Sequence, residues 1–243
     1  ENKLKNFRIE FLSSGELFIG IFETTDTNLP EKGVTLSLSG DFYEGTFVSG
    51  KKEGNGTMIY KNGTRYEGAF KKNKHNGFGK LIQLDGETFV GEWKDGKING
   101  NGVRYHKNGD KYIGAYINNI RNGLGHYIFS NGDSYEGNWI NGKANGRGKF
   151  NFKNGNVYEG EFKDNIISGK GSFKMKNGDL YNGNFENGLI NGKGNIVHEN
   201  GEKFVGYFQN GKKNGKGKVF NKEGDLILSG YWKNDKYLGS QRV

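Results

Sequence analysis

The chain has 243 residues, with 36 Lys and Arg against 27 Asp and Glu for a formal net charge of +9. Apolar residues, tyrosine included, make up 32%, glycine occupies 43 positions and proline one, a balance that does not suit a thick globular interior. The absence of cysteine excludes disulfides and thiolate metal sites and fits a reducing compartment, and no apolar run approaches the ~18 residues of a membrane-spanning helix.

In chain order, residues 1–17 carry a strand-like run from Asn6 to Leu12 that enters a Ser14-Gly15 turn, as the tail of a preceding unit or an N-terminal cap would. Glu1 is not an initiator methionine, so the chain reads as an excerpt in which a leader or upstream domain would be invisible. Phe18-Ile19-Gly20-Ile21-Phe22 then opens a phrase of aromatic, any residue, glycine, any residue, aromatic. The phrase returns at Tyr43, Tyr66, Phe89, Tyr112, Tyr135, Tyr158, Tyr181 and Phe204, seven steps of 23 residues over 161 positions without slippage. Its central glycines are Gly45, Gly68, Gly91, Gly114, Gly137, Gly160, Gly183 and Gly206, and a Gly-x-Gly follows each of these openers by eleven residues, from Gly54/Gly56 to Gly215/Gly217. The first unit is stretched to 25 residues by an insertion from Thr24 to Lys32. Nine full units thus occupy 18–227, and 228–243 hold a partial tenth, Leu228-Ser229-Gly230-Tyr231-Trp232, and a tail.

A fixed period of this size marks stacked units, each unable to bury its apolar face alone. Within the phrase, Tyr43, Gly45 and Phe47 share one strand face while Glu44 and Thr46 share the other. Gly148, Phe150 and Phe152 alternate with Lys149 and Asn151 in the same way on a second strand. The expected fold is all-β: an elongated, single-layer, twisted antiparallel sheet of stacked 23-residue β-hairpins. At two strands per unit, nine units span on the order of 90 Å. The strands are expected to be joined alternately by a six-residue loop, such as Lys94 to Asn99, and by a tighter turn on Asn-Gly or Asp-Gly, such as Asn62-Gly63 or Asp85-Gly86. Glycine between aromatics lets rings lie flat on the backbone.

The phrase Tyr-x-Gly-x-Phe/Trp, followed by Asn-Gly-Lys-x-x-Gly-x-Gly and a closing Asn-Gly, resembles the MORN (membrane occupation and recognition nexus) repeat, most fully at Tyr135 to Gly148 and over about residues 16 to 239. Departures are the missing loop glycine at Asn118-Asn119 and Asp164-Asn165 and the stretched first unit. The resemblance implies a non-catalytic scaffold, most like the all-MORN proteins tied in protists to cortical cytoskeleton and cell division, with homodimerisation as a family expectation. The alternative it implies is the regulatory, lipid- or protein-binding module of a larger enzyme such as a phosphatidylinositol phosphate kinase or a lysine methyltransferase.

The residues themselves offer little catalytic chemistry, and neither cofactor nor metal is expected. His75, His106, His126 and His198 lie at different repeats and read as solvated strand ends. The Gly-x-Gly pairs precede no helix whose N-terminus would hold a phosphate. Charge is more informative. The eight six-residue loops carry 12 basic and 4 acidic residues, and the opposite turns 8 basic and 9 acidic. The basic row comprises Lys51, Lys52, Lys71, Lys72, Lys74, Lys94, Lys97, Arg121, Lys143, Lys163, Lys212 and Lys213, and either solubilises the loops or meets an anionic phospholipid or acidic protein surface. Nucleic acid is disfavoured, because stacking needs exposed rings and the aromatics occupy the packing phase. The apolar end, with Leu226, Leu228, Tyr231 and Trp232, is either a capping hairpin or the contact of a homodimer through the C-terminal repeats. An unidentified protein partner in the aromatic groove, and a cytoplasmic location peripheral to cytoskeleton or membrane, complete the expectation.

Overall fold

The computed structural model describes residues 6–12, 15–22 and 31–240, so Ser14 of the expected turn and residues 24–30 of the expected insertion lie outside the described residues. The chain divides into two units, residues 1–120 and 121–243. The first holds strands Asn6–Phe11, Leu17–Phe22, Glu31–Leu36, Phe42–Val48, Lys51–Ile59, Arg65–Lys71, Lys74–Ile82, Thr88–Lys94, Lys97–Tyr105 and Lys111–Ile117. Each pairs antiparallel with the next. The second holds Ile120–Ile128 from Arg121 onward, then Ser134–Ile140, Lys143–Asn151, Val157–Lys163, Ile166–Lys174, Leu180–Glu186, Leu189–Val197, Lys203–Gln209, Lys212–Phe220, Leu226–Lys233 and Lys236–Gly239. These too pair in sequence order. The all-β, hairpin-by-hairpin architecture expected from the period is therefore what the chain adopts, and none of the described residues is helical.

Alternation does the sorting. In Val157–Lys163, Tyr158 and Phe162 are buried while Glu159 and Glu161 between them are exposed, so the opener and second aromatic of a repeat share one sheet face.

The two kinds of connection are the reverse of the expectation. The supposed six-residue loops are two-residue hairpin turns with both residues at positive φ, as at Asp95 (50°) and Gly96 (81°), and the strands run up to them on both sides, the geometry that matches strand twist. The Asn-Gly side is the longer one. Between Ile59 and Arg65, the Gly63 amide donates to the Tyr60 carbonyl (2.8 Å) and the Tyr60 amide to the Thr64 carbonyl (2.8 Å), with positive φ at Gly63 alone. Asn62 serves here as an acceptor, its Oδ1 taking the Thr64 amide at 3.0 Å, an Asx turn rather than a left-handed residue. Where the tight turn lacks glycine, at Lys72-Asn73, Asn118-Asn119, Asp164-Asn165 and Asn234-Asp235, the backbone keeps the same shape. The asparagine side chain adds a bond, Oδ1 accepting the amide of Lys52, Ile98 or Ala144 at 2.6–2.8 Å.

The two glycines of each Gly-x-Gly have separate tasks. Gly54 sits at φ 70°, in a bulge that sets residues 53–55 against Thr46 alone. Gly56 lies directly opposite Gly45, and a Cβ on either would run into the Tyr43 ring.

Candidate partner-binding groove

Each opener ring is held in a box. Its floor is the facing glycine pair, such as Gly137 and Gly148 under Tyr135, and its walls are two second aromatics standing edge-on. In the first unit Tyr43 meets Phe47 at 5.1 Å and Phe70 at 4.9 Å, Tyr66 meets Phe70 at 5.1 Å and Trp93 at 5.3 Å, and Phe89 meets Trp93 at 5.5 Å. In the second, Tyr135 stands between Trp139 and Phe162 (5.3 and 4.8 Å), Tyr158 between Phe162 and Phe185, Tyr181 between Phe185 and Phe208, and Phe204 between Phe208 and Trp232. Every pair is edge-to-face, worth about 0.5–1.5 kcal/mol beyond its buried area. Tyrosine is favoured as opener because its hydroxyl donates to the carbonyl three residues on, as from Tyr135 to Asn138 at 3.0 Å. Desolvation pushes the hydroxyls of Tyr135, Tyr158 and Tyr181 up to about 12 and those of Tyr43 and Tyr66 higher.

These repeat-defining rings consequently offer no open groove: the openers are 0–2% exposed and the second aromatics no more than 7%. The surface available to a partner is decided by what lies over them, chiefly the residue nine places after each opener. That register holds Lys52, His75, Ile98, Arg121, Ala144, Ile167, Ile190 and Lys213. His75 stacks on Tyr66 at 3.6 Å and 10°. Lys213 reaches over the Phe204 ring at 4.9 Å and Lys52 over Tyr43 at 5.4 Å. Ala144 is the smallest of the set, and beside it lies a cavity of about 270 Å³ lined by Arg121, Tyr127, Phe129, Tyr135, Trp139, Ala144, Phe150, Phe162 and Asn165. The Arg121 guanidinium lies 4.3 Å from the Trp139 ring and 5.1 Å from Tyr127, and donates to the Gly142 carbonyl at 2.9 Å.

From this cavity a half-buried aromatic line continues along the second unit. Tyr127 and Phe129 are 4.6 Å apart, Phe129 and Phe150 5.9 Å, Phe150 and Phe152 4.6 Å, and Phe152 and Phe173 5.9 Å. These rings come from places 15 and 17 after the opener, which are aromatic together only in the repeats of Tyr112 and Tyr135. The aromatics that stay accessible are therefore this line of half-buried rings beside the cavity, and they belong to these residues and not to the repeat signature. The usable signal was the departure from the repeat: alanine at place nine, with aromatics at 15 and 17.

The other sequence-derived sites fare differently. Lys51, Lys71, Lys72, Lys74, Lys94, Lys97, Lys143, Lys163 and Lys212 are exposed along the tight turns, with Lys143 3.4 Å from Asp164. Lys52 does not belong with them, being 7% exposed and paired with Glu16 at 2.7 Å. Arg121 and Lys213 likewise turn their cations over rings. At the C-terminal end Leu226 and Leu228 are 53% and 36% exposed, but Trp232 is buried, 5.1 Å from Phe204 and 4.9 Å from Tyr237. It closes the ladder of rings and is not a free contact. His75 is no solvated strand end either, while His106 and His198 tie their loops to Glu87 (3.2 Å) and Asp179 (3.1 Å). Among the described residues no three His, Asp or Glu side chains gather as metal ligands, and no helix is long and apolar enough to cross a membrane.

A family model for the MORN repeat matches residues 43–65, 66–88, 89–111, 112–134, 135–157, 158–180, 181–203 and 204–220. A search of curated proteins finds no match. Among solved structures, the SAS-4 (dCPAP) TCP domain of Drosophila melanogaster, in complex with a proline-rich motif of Ana2 (dSTIL), is similar at 13% identity and a TM-score of 0.36, over 64% of this chain and 90% of that one. The wild-type TCP10 domain of Danio rerio CPAP is similar at 10% identity and a TM-score of 0.32, over 93% and 100%. Likeness at that level says nothing of this chain's own partners.

Proposed function

Because the chain belongs to the MORN repeat family, we propose that it is a non-catalytic scaffold whose second unit holds a protein partner along the groove from Tyr127 to Phe173. The observation that carries this reading is the aromatic line itself. Five large rings stay half-buried in one line beside the cavity at Ala144, where the other repeats from Tyr43 onward carry a bulkier residue in the same register, and aromatic clusters of this kind anchor protein interfaces.

The test fills the cavity without altering the fold. Isoleucine already stands in the register of Ala144 at Ile98, Ile167 and Ile190, so Ala144→Ile is sterically familiar to the array. Proximity labelling in the native cell is expected to lose a defined set of neighbours in the Ala144→Ile protein, and an unchanged labelling profile would refute the groove reading.

Two further parts of the scaffold reading have their own support. Lys71 faces Lys74 and Lys94 faces Lys97 directly across adjacent hairpins. Like charges so placed are destabilising, which favours an anionic phospholipid or acidic protein surface over simple solubilisation. Self-association through the C-terminal repeats rests on the exposed Leu226 and Leu228. A cytoplasmic role at the cytoskeleton or membrane periphery, in keeping with such scaffolds, belongs to the same proposal.

A further inference from the structure

We propose that the partner segment seated in this groove is proline-rich and bound as a polyproline II helix, one turn of ligand to each 23-residue repeat. The inference rests on the groove reading above and adds the chemistry of the occupant.

Periodicity is the first argument. The groove crosses the strands, and two strands of a sheet occupy ~9.6 Å. A polyproline II helix advances ~9.3 Å per three-residue turn, so every third ligand residue returns to the same place in the next repeat with a drift of only ~0.3 Å. The alternating 4.6 and 5.9 Å steps from Tyr127 through Phe129 to Phe150, repeated from Phe150 through Phe152 to Phe173, show the ring spacing recurring once per repeat. An α-helix matches less well: seven residues advance ~10.5 Å, a drift of about 1 Å per repeat. An extended strand presents one face every ~6.8 Å and needs a free sheet edge for its amides, which a groove across the sheet does not supply.

Hydrogen bonding is the second argument. The backbone groups beneath the groove are engaged in the pairing of the strands 120–128, 134–140, 143–151, 157–163 and 166–174. An ordinary peptide laid across the rings would bury amides without acceptors, whereas proline has no amide hydrogen to satisfy. Aromatic-lined grooves bind such segments for this reason and because their shape is set before binding. The cavity beside Ala144, about 270 Å³, seats one residue of the segment deeper than the others and fixes its register.

The experiment titrates the full chain into a fluorescein-labelled decaproline peptide and follows anisotropy. Peptides of equal length that form an α-helix and an extended strand run in parallel. Decaproline is expected to bind saturably and most tightly of the three, with at least a ten-fold loss in Ala144→Ile and a comparable loss in Tyr127→Ala, and no loss in Lys80→Gln, an exposed position on the face of the first unit opposite Tyr66. Unchanged thermal midpoints and Trp fluorescence in Ala144→Ile show that the fold is intact, and Tyr127→Ala repeats the test should they change. Absence of saturable decaproline binding, or binding equally strong in Ala144→Ile and Tyr127→Ala, overturns the proposal. Tighter binding of the helical peptide that is sensitive to Ala144→Ile overturns the polyproline assignment while leaving the groove reading standing. Failure of that reading is seen separately, as cellular labelling indifferent to Ala144→Ile.

Discussion

Acidification is expected to weaken the first unit through one side chain. His75 stacks on Tyr66 at 3.6 Å, meets Phe70 and Trp93 edge-on at 5.3 and 5.0 Å, and places Nε2 2.9 Å from the Tyr60 hydroxyl. Desolvation there lowers its pKa from 6.5 to about 4. The unfolded chain takes up the proton near pH 6.5 and the folded chain only near pH 4, so the unfolded state binds more protons throughout that window. The stability that comes from keeping His75 neutral is fully present above about pH 6.5 and is lost as pH falls towards 4. At about 1.4 kcal/mol per pH unit the loss reaches at most about 3 kcal/mol, a large part of the stability of an ordinary domain. His75→Ile, which installs the residue found in the same register at Ile98, Ile167 and Ile190, removes the titrating group. Urea unfolding of both proteins between pH 7.5 and 4.5 isolates the term, because carboxylate contributions cancel in the difference. The parent is expected to lose about 2–3 kcal/mol more than the variant across that range. An imidazole C2–H resonance for His75 titrating near 6.5, or parallel stability curves for the two proteins, would refute the reasoning.

The remaining predictions concern packing and surface. Gly171→Ala places a methyl group 2.5–2.7 Å from atoms of the Tyr158 ring and is expected to destabilise by about 1–3 kcal/mol or more in urea titration. Gly188→Asn is expected to be neutral or to stabilise by about 0.5–1 kcal/mol, since Gly188 lies at φ 81° in open space and Asn165 already fills the equivalent turn position. If the turn row meets anionic membranes, changing Lys71, Lys72 and Lys74 together to glutamate weakens sedimentation with phosphatidylserine vesicles on the order of 100-fold, at about 1 kcal/mol per lysine; binding unaffected by either the change or added salt would eliminate the idea. Light scattering is expected to show a dimer that Leu226→Lys with Leu228→Lys converts to monomer, and a monomer mass for the parent at high micromolar concentration argues against self-association.

The hairpin period and the ring faces were legible because strict alternation and a fixed period constrain every repeat alike. Turn geometry was not, because the two kinds of signal overlap. Asn62-Gly63 and its counterparts look like hairpin dipeptides, yet asparagine there accepts an amide two residues on. The true two-residue turns use sequences as unlike as Ser49-Gly50 and Lys72-Asn73. Polar residues at strand starts, such as Lys51 and Lys74, made those strands resemble loop. Lys52, Arg121 and Lys213 look like edge charge in the sequence, although a long side chain can lay its stem or its cation across a ring. The cavity is hard to see in the sequence because its decisive residue is a reduction: Ala144 has no chemistry of its own, and only comparison with the bulkier residues nine places after other openers shows that something has been left uncovered.

The interlock between neighbouring repeats has a consequence for how such an array grows. The wall of the Tyr135 box comes from Phe162 in the next repeat. The carbonyl of Ala144 is held by the Asn165 amide at 2.9 Å, as Arg121 is held by Gly142 and Ile167 by Gly188. No 23-residue segment cut from opener to opener is therefore structurally complete, and a truncation ending before Tyr158 would dismantle the cavity while leaving most of its lining in the chain. Duplication or deletion of 23 residues, by contrast, preserves every junction wherever the cut falls, since each donor finds an equivalent acceptor one period earlier. Array length and groove composition can thus be inherited as separate traits: the first changes by whole periods, and the second by single substitutions nine, fifteen or seventeen places after an opener.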